Sequence, residues 1–350
     1  MGETLRCAVI GAGAIGLAHM ESWTKHPKAE LVAVAEVNAQ RRDEAATKHS
    51  IPKAVEDYKQ ILSDKTIDAV SIALPNYLHA SVTIEAIKAG KHVMLDKPMA
   101  TSAAEAQQII DAWKEKKVVF MVGQNFRFNK DTQMVREYIK NGELGEVYHG
   151  RAHWLRRSGI PRIGSWFTQK KFAGGGCCYD IGVHLLDAAL HCMGNFDAES
   201  VSGIVQGKFG PRGLGDGTWG KGEVDPTKPF DVEDLAAAMI KLKGGKSMML
   251  EVSWALHADG GKDNGIDLYG TEGGASLYPA RILKVRGTNH ETITPDYKKL
   301  PLPEDRLVHF VDCVLSGVEP LVKPEESLKV QKILDAIYES SKTGREVRIS

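Results

Sequence analysis

The sequence predicts an α/β domain built on a parallel sheet, followed by an α+β domain with an open, mostly antiparallel sheet. Three observations carry this expectation. Short apolar runs alternate with helical patterns over the first third of the chain, a glycine-rich turn joins the first strand to the first helix, and the periodicity changes after about residue 125.

Leu5–Ile10 reads as a strand and Ala14–His26 as a helix; Leu31–Val37 reads as the second strand and Ala39–Lys48 as a polar helix. Asp68–Leu74, His92–Leu95 and Val118–Val122 are further strands, with helices between them at about 77–89 and 102–116. Such alternation places a parallel sheet under helices on both faces. Beyond residue 125 a helix over Asp131–Lys140 precedes β-like segments. Ile240 and Leu242 alternate with lysines, Gly244-Gly245 marks a turn, and Leu250, Val252 and Trp254 alternate with Glu251 and Ser253, which is the pattern of a half-buried hairpin. Ile266–Tyr269 and Ala275–Tyr278 read as a second hairpin, and Pro324–Thr343 as a final helix. The expected division is 1–124 for the first domain and 125–350 for the second. The Gly- and Pro-rich stretch 206–229 has no periodicity and reads as a mobile or interface loop.

The chain has 350 residues, 43% of them apolar, enough for two cores. A formal charge of +0 supplies no field for polyanions, so no nucleic-acid partner is expected. The N-terminus shows no leader pattern, and no apolar run approaches the roughly 20 residues that span a bilayer, so no membrane partner is expected. Five cysteines, an odd number without a Cys-x-x-Cys pair, suggest reduced thiols and a cytoplasmic location.

Gly11-Ala12-Gly13-Ala14-Ile15-Gly16 is a G-x-G-x-x-G run. With 35 glycines in the chain, chance matches are plausible, so the context decides. The run follows an apolar strand, opens a helix, and precedes a strand that ends in Glu36, which together are the signature of a Rossmann dinucleotide site. An acid at Glu36 accepts hydrogen bonds from ribose hydroxyls and repels a 2′-phosphate, so NAD is expected over NADP. Arg41 and Arg42 follow closely and offer that phosphate an alternative partner.

Leu95-Asp96-Lys97-Pro98 ends a strand of this domain, where ligands meet an open α/β sheet. Lys97 there can place an ammonium beside a substrate hydroxyl, and Pro98 fixes the turn, with a cis bond as one way to do so. Gly174-Gly175-Gly176 precedes a helix starting near Tyr179, on which Asp180 and His184 stand four residues apart on one face. Histidine suits proton exchange with an alcohol near neutral pH.

In combination these segments resemble the Gfo/Idh/MocA family, the glucose–fructose oxidoreductase and inositol dehydrogenase group. The resemblance runs through GAGAIG, Ala35-Glu36 with Arg41, and Leu74-Pro75-Asn76-Tyr77-Leu78-His79. It continues through Asp96-Lys97-Pro98, Gly123-Gln124-Asn125-Phe126-Arg127-Phe128, the glycine triplet with Asp180 and His184, and Ala336–Ser340. It implies an NAD-dependent enzyme that moves a hydride between nicotinamide and a secondary hydroxyl or ketone of a sugar, sugar derivative or polyol. Lys97, Asp180 and His184 are the implied catalytic set, with Asn76, His79, Gln124 and Asn125 along the cofactor. A homodimer or homotetramer through the C-terminal sheet is also implied. The family usually carries Glu-Lys-Pro; Asp96 departs from it, and its shorter carboxylate puts the contact near the nicotinamide ribose in question.

Arg151, Arg156, Arg157 and Arg162 precede the glycine triplet, with Trp154, Trp166 and Phe167 among them. Aromatics stack on sugar faces and arginines fork onto carboxylate or phosphate; solvated strand residues around an aromatic core are the alternative. The expected substrate residues are Lys97, Arg127, Arg156, Trp166, Asp180 and His184. No metal is expected: Asp180, His184, Asp187 and His191 form one helical stripe, which cannot surround an ion. Two rival functions remain: a glycosidase or elimination enzyme that uses NAD transiently, for which the same residues would serve, and a non-catalytic NAD-sensing protein, in which loss of Lys97 or His184 would be expected although both are present.

Overall fold

The computed structural model describes residues 4–217, 224–225, 227–259, 263–297 and 300–349. They form two compact units.

The first unit holds a six-stranded sheet of β1 (Leu5–Ile10), β2 (Ala29–Ala35), β3 (Lys53–Val55), β4 (Ala69–Ile72), β5 (His92–Leu95) and β6 (Phe120–Val122). All neighbours are parallel, in the order β3-β2-β1-β4-β5-β6. This is the expected Rossmann arrangement, whose strand order reverses beside β1 and so leaves room for a ligand at the carboxyl ends. Val9, Val34, Val70 and Val93 are completely buried, as strands covered on both faces require. The expected strand and helix boundaries shift by a few residues; the first helix, for example, ends at Trp23.

One division differs from the expected one. Asp305–Leu328 clusters with the first unit rather than the second. Its helix Arg306–Ser316, capped by Asp305, buries Leu307, Phe310 and Val311, and Phe310 meets the edge of Trp23 with ring centroids 5.9 Å apart. An amphipathic pattern reveals a helix's apolar face but not the surface that receives it.

The second unit is built on nine strands: β7 (Val147–Leu155), β8 (Ala198–Gln206), β9 (Leu235–Leu242), β10 (Lys246–Ser253), β11 (Asp263–Gly270), β12 (Gly274–Leu277), β13 (Arg281–Arg286), β14 (Asn289–Ile293) and β15 (Val347–Arg348). The order is β14-β13-β12-β11-β7-β10-β9-β8-β15, and only the β7–β10 pair is parallel. Both expected hairpins are present, as β9–β10 and β11–β12. The helix Val183–Met193 buries Leu185, Leu186, Ala189 and Leu190 in one core with Ala152, Leu250, Val252 and Ile266 of the sheet. The sheet's inner face therefore carries the helix that begins next to Asp180 and His184.

Of the loop 206–229, residues 218–223 and 226 lie outside the described residues. The described part is anchored. Buried Asp234 accepts the backbone N–H groups of Lys208, Phe209 and Gly210, and Ile160 bridges to Asp216.

Candidate active site

The loop after β1 runs through Gly11–Gly16. Gly11 sits at φ +99°, and a Cβ there would overlap the Ala73 carbonyl, so only glycine makes this turn. At Gly13 a Cβ would meet no protein atom within 4 Å. The helix opens on Gly13 without a side-chain cap, and Ala14 and Ile15 are exposed beside it. Uncapped N–H groups, a positive dipole end and an open cradle fit the pyrophosphate of a dinucleotide.

Glu36 follows β2 and is buried. Its Oε2 accepts the Ala12 N–H at 2.8 Å; its Oε1 accepts the Asn38 N–H at 2.9 Å and pairs with Arg41 at 3.2 Å. The same carboxylate that was expected to read a ribose thus also pins the glycine loop and holds Arg41. Leu74 and Pro75 follow β4, and Asn76 opens a single helical turn, buried.

His79, expected along the cofactor, is enclosed by its own unit. It is 0% exposed, with Nδ1 2.7 Å from the Pro98 carbonyl oxygen and Nε2 2.8 Å from that of Leu74. Burial lowers its pKa against the opposing pull of the two carbonyls. Its role is to clamp the turn that follows Lys97 onto the loop after β4. Lys97 itself is half-buried, and its bond to Pro98 is cis.

Asp96, the departure from the family pattern, is turned toward a cluster within its own unit. Its Oδ1 lies 3.8 Å from Arg306 and 4.0 Å from His19. Burial, with the Arg306 guanidinium beside it, pushes the His19 pKa down to about 3. His19 is therefore neutral and faces Arg306 Nη2 at 2.8 Å, so its approach to Asp96 is not an ion pair.

In the second unit, Gln124 Oε1 and Asn125 Oδ1 are buried, and neither has a donor among the described residues. Two such oxygens suit the N–H groups of a bound amide.

The segment that carries Asp180 and His184 is held by residues from distant parts of the chain. Cys178–Gly182 forms one π-helical turn before the helix Val183–Met193, where a plain α-helix was expected; such wide turns are frequent at functional sites. Buried Glu233 accepts the N–H groups of Gly176 and Cys178 at 2.9 Å each and so fixes the entry to the turn. Burial raises the Glu233 pKa. In the glycine triplet, a Cβ on Gly175 would overlap Tyr338 Oη, and one on Gly176 the Glu233 carbonyl. The close approach is protein against protein.

Asp180 is buried and accepts a 2.9 Å hydrogen bond from Trp254 Nε1. His184 stacks on Phe126, centroids 4.8 Å apart and planes inclined by 21°, and Phe126 in turn meets Trp154 at 5.8 Å. Arg156 lies over the Trp154 ring at 4.3 Å. Burial lowers the Arg156 pKa, while Asp180 nearby raises it. Trp166 is half-buried and stacks on Phe167 at 3.8 Å.

Arg127, expected among the substrate residues, is engaged within the protein. It is 0% exposed, and its Nε and Nη2 both reach Asp187 at 2.7 Å. A bidentate pair of this kind consumes the fork that a substrate would need. It also removes Asp187 from the helical stripe weighed as a metal site.

Trp254, Glu233 and Asp234 were missed as functional residues. Trp254 was read only as an alternating strand residue, and the acidic pair 233–234 before β9 was the one local signal for buried anchors.

Residues 5–124 match the model of an oxidoreductase family with an NAD-binding Rossmann fold, and residues 132–276 match the GFO/IDH/MocA C-terminal domain. The chain is 31% identical to D-glucoside 3-dehydrogenase of Escherichia coli (strain K12), over 99% of this chain and 97% of that protein. It is 32% identical to levoglucosan dehydrogenase of Pseudarthrobacter phenanthrenivorans, over 77% of this chain and 73% of that protein. A solved levoglucosan dehydrogenase in complex with NADH and levoglucosan superposes with a TM-score of 0.86 at 25% identity, covering 99% of this chain and 100% of that one.

Proposed function

The chain belongs to the Gfo/Idh/MocA family of oxidoreductases, and from that premise we propose that it moves a hydride between NAD and a secondary hydroxyl or ketone of a sugar, sugar derivative or polyol. The observation that carries this reading is the coexistence of an open cradle at Gly13 with an Asp180–His184 pair held by buried partners.

When bound, NAD supplies the hydride acceptor or donor at its nicotinamide ring. Gly11–Gly16 would hold the pyrophosphate through backbone N–H groups, and Glu36 would hold the adenosine ribose. Arg41, engaged by Glu36, supports NAD over NADP, because a 2′-phosphate would have to displace that carboxylate. In the oxidation direction His184 takes the hydroxyl proton. Lys97 stabilises the negative charge that develops on the oxygen, and Asp180, fixed by Trp254, orients the hydroxyl.

The five cysteines are free and buried, which supports a reducing, cytoplasmic setting. No helix among the described residues is long and apolar enough to cross a membrane. Pairing through the outer face of the second sheet is supported by Ile204, Met239, Met249 and Tyr269, large exposed apolar side chains that the strand registers put on one face.

The test is a panel of sugars and polyols incubated with NAD or NADP, read by nicotinamide absorbance and by product identification. Net NADH accumulation with a keto-sugar product is expected. A changed sugar without NADH accumulation would replace this reading with transient redox chemistry.

A further inference from the structure

An open cavity of about 950 Å³ lies in the second unit, beside the ring series His184–Phe126–Trp154. Of the four arginines that precede the glycine triplet, Arg156 and Arg157 line it. Arg151 does not, and it faces Glu251 at 4.0 Å. Resting on the functional reading above, we propose that this cavity receives an anionic group, a carboxylate or phosphate, that the sugar substrate carries away from the carbon being oxidised.

Charge is the first argument. The described lining residues include two guanidinium groups and no carboxylate. Arg6, Arg41, Arg127 and Arg286 each have a carboxylate within 3.3 Å. Neither Arg156 nor Arg157 has an ion pair or a side-chain hydrogen bond among the described residues. Asp180 lies near enough to favour the charged form of Arg156 but makes no ion pair with it, and its Oδ2 accepts the Trp254 Nε1–H. A cation half withdrawn from water without an anionic partner is costly, and an oxyanion between the two guanidiniums would relieve that cost.

Order is the second argument. The Arg156 guanidinium sits 4.3 Å over the Trp154 ring centroid, so little side-chain freedom is lost when it binds. Phe209 and Leu214, which also line the cavity, belong to the loop that Asp234 anchors. Ser158 Oγ ties that loop down by donating to the Asp216 carbonyl, and His257 meets Phe209 edge-on at 4.9 Å. The apolar wall suits a sugar face while the two arginines take the charge at its far end.

The test uses the full chain with NAD present. Titration calorimetry would compare D-glucuronate and D-glucose 6-phosphate with D-glucose and methyl D-glucoside, and kcat/KM would be measured for each sugar that turns over. Wild type should prefer an anionic sugar over its neutral counterpart by about tenfold or more, the scale of a charge-assisted hydrogen bond. Whichever of the two anions is preferred identifies the group. In Arg157→Gln that preference should fall to about twofold or less, while Arg157→Lys should keep part of it. Arg157 is exposed, so neither change threatens folding. Equal binding of neutral and anionic sugars by wild type, or a preference unchanged in Arg157→Gln, would overturn the proposal. Selective anion binding without any turnover would leave it standing and sink the dehydrogenase reading instead.

Discussion

The glycine loop and the proposed catalytic segment hold their polar groups by opposite means. Gly11–Gly16 and Glu36 lie within one strand–helix–strand stretch, and the Glu36–Ala12 bond joins residues only 24 positions apart. Around Asp180 and His184 the supports come from far along the chain: Glu233 is 55 positions from Cys178 and Trp254 is 74 from Asp180. Backbone N–H groups at a helix end need only local geometry to bind phosphate. Side chains that move protons need a fixed orientation. Here Asp180 and the turn that carries it are held by buried partners at strand ends, Glu233 just before β9 and Trp254 just after β10.

If that contrast is right, perturbing distant supports of the catalytic segment should cost more than perturbing the cofactor loop. The largest effect is expected for Arg127→Met. It removes the guanidinium partner of buried Asp187 on the helix that carries His184, and should lower stability by about 3–5 kcal/mol. Urea denaturation would measure this, and a loss below 1 kcal/mol, within the range of ordinary surface pairs of about 0–1 kcal/mol, would break the comparison at its strongest point. Next come His184→Ala and Lys97→Ala, each expected to lower kcat by about 10² or more with NAD affinity nearly intact. Steady-state kinetics and NAD titration check them, and near-wild-type turnover in either variant removes that residue from the mechanism.

Trp254→Phe deletes the N–H that holds Asp180 while keeping an aromatic ring. A bond to a charged group is worth about 1.5–3 kcal/mol, so kcat/KM for the sugar should drop roughly tenfold or more. On the cofactor side, Glu36→Ala should lower the kcat/KM ratio of NAD to NADP by about tenfold, through one lost acceptor for the ribose. The smallest effect is a pH dependence in the first unit. Folded His19 takes a proton only near pH 3, whereas an unfolded histidine does so near 6.5. Between these values the unfolded chain holds more protons, so stability should fall as pH is lowered from about 6.5. His19→Gln should flatten that slope in urea midpoints measured between pH 7 and 5.

Legibility follows the same line. The Rossmann unit could be read in advance because its strands are continuous apolar runs and its ligand loop is one contiguous motif. The hairpins β9–β10 and β11–β12 were visible as period-two alternation across glycine turns. The return of Asp305–Leu328 to the first unit was not, because Phe310 needed Trp23, which lies far away in sequence. His79 and Arg127 illustrate the same limit within motifs. Both were recognised by pattern, and both are buried, one on backbone carbonyls and the other on Asp187.

By itself, the sequence determined the two-unit architecture, the glycine cradle with Glu36, and the identity of Lys97, Asp180 and His184 as candidates, because local periodicity and short motifs encode these. Tertiary structure alone decided which polar groups remain available to a ligand. It spent Arg127 on Asp187, His79 on two carbonyls and Asp96 on the Arg306 cluster, and it left Arg156 and Arg157 beside an open cavity. The physical reason is that a buried polar group must find a partner, and that partner is set by packing between elements distant in the chain.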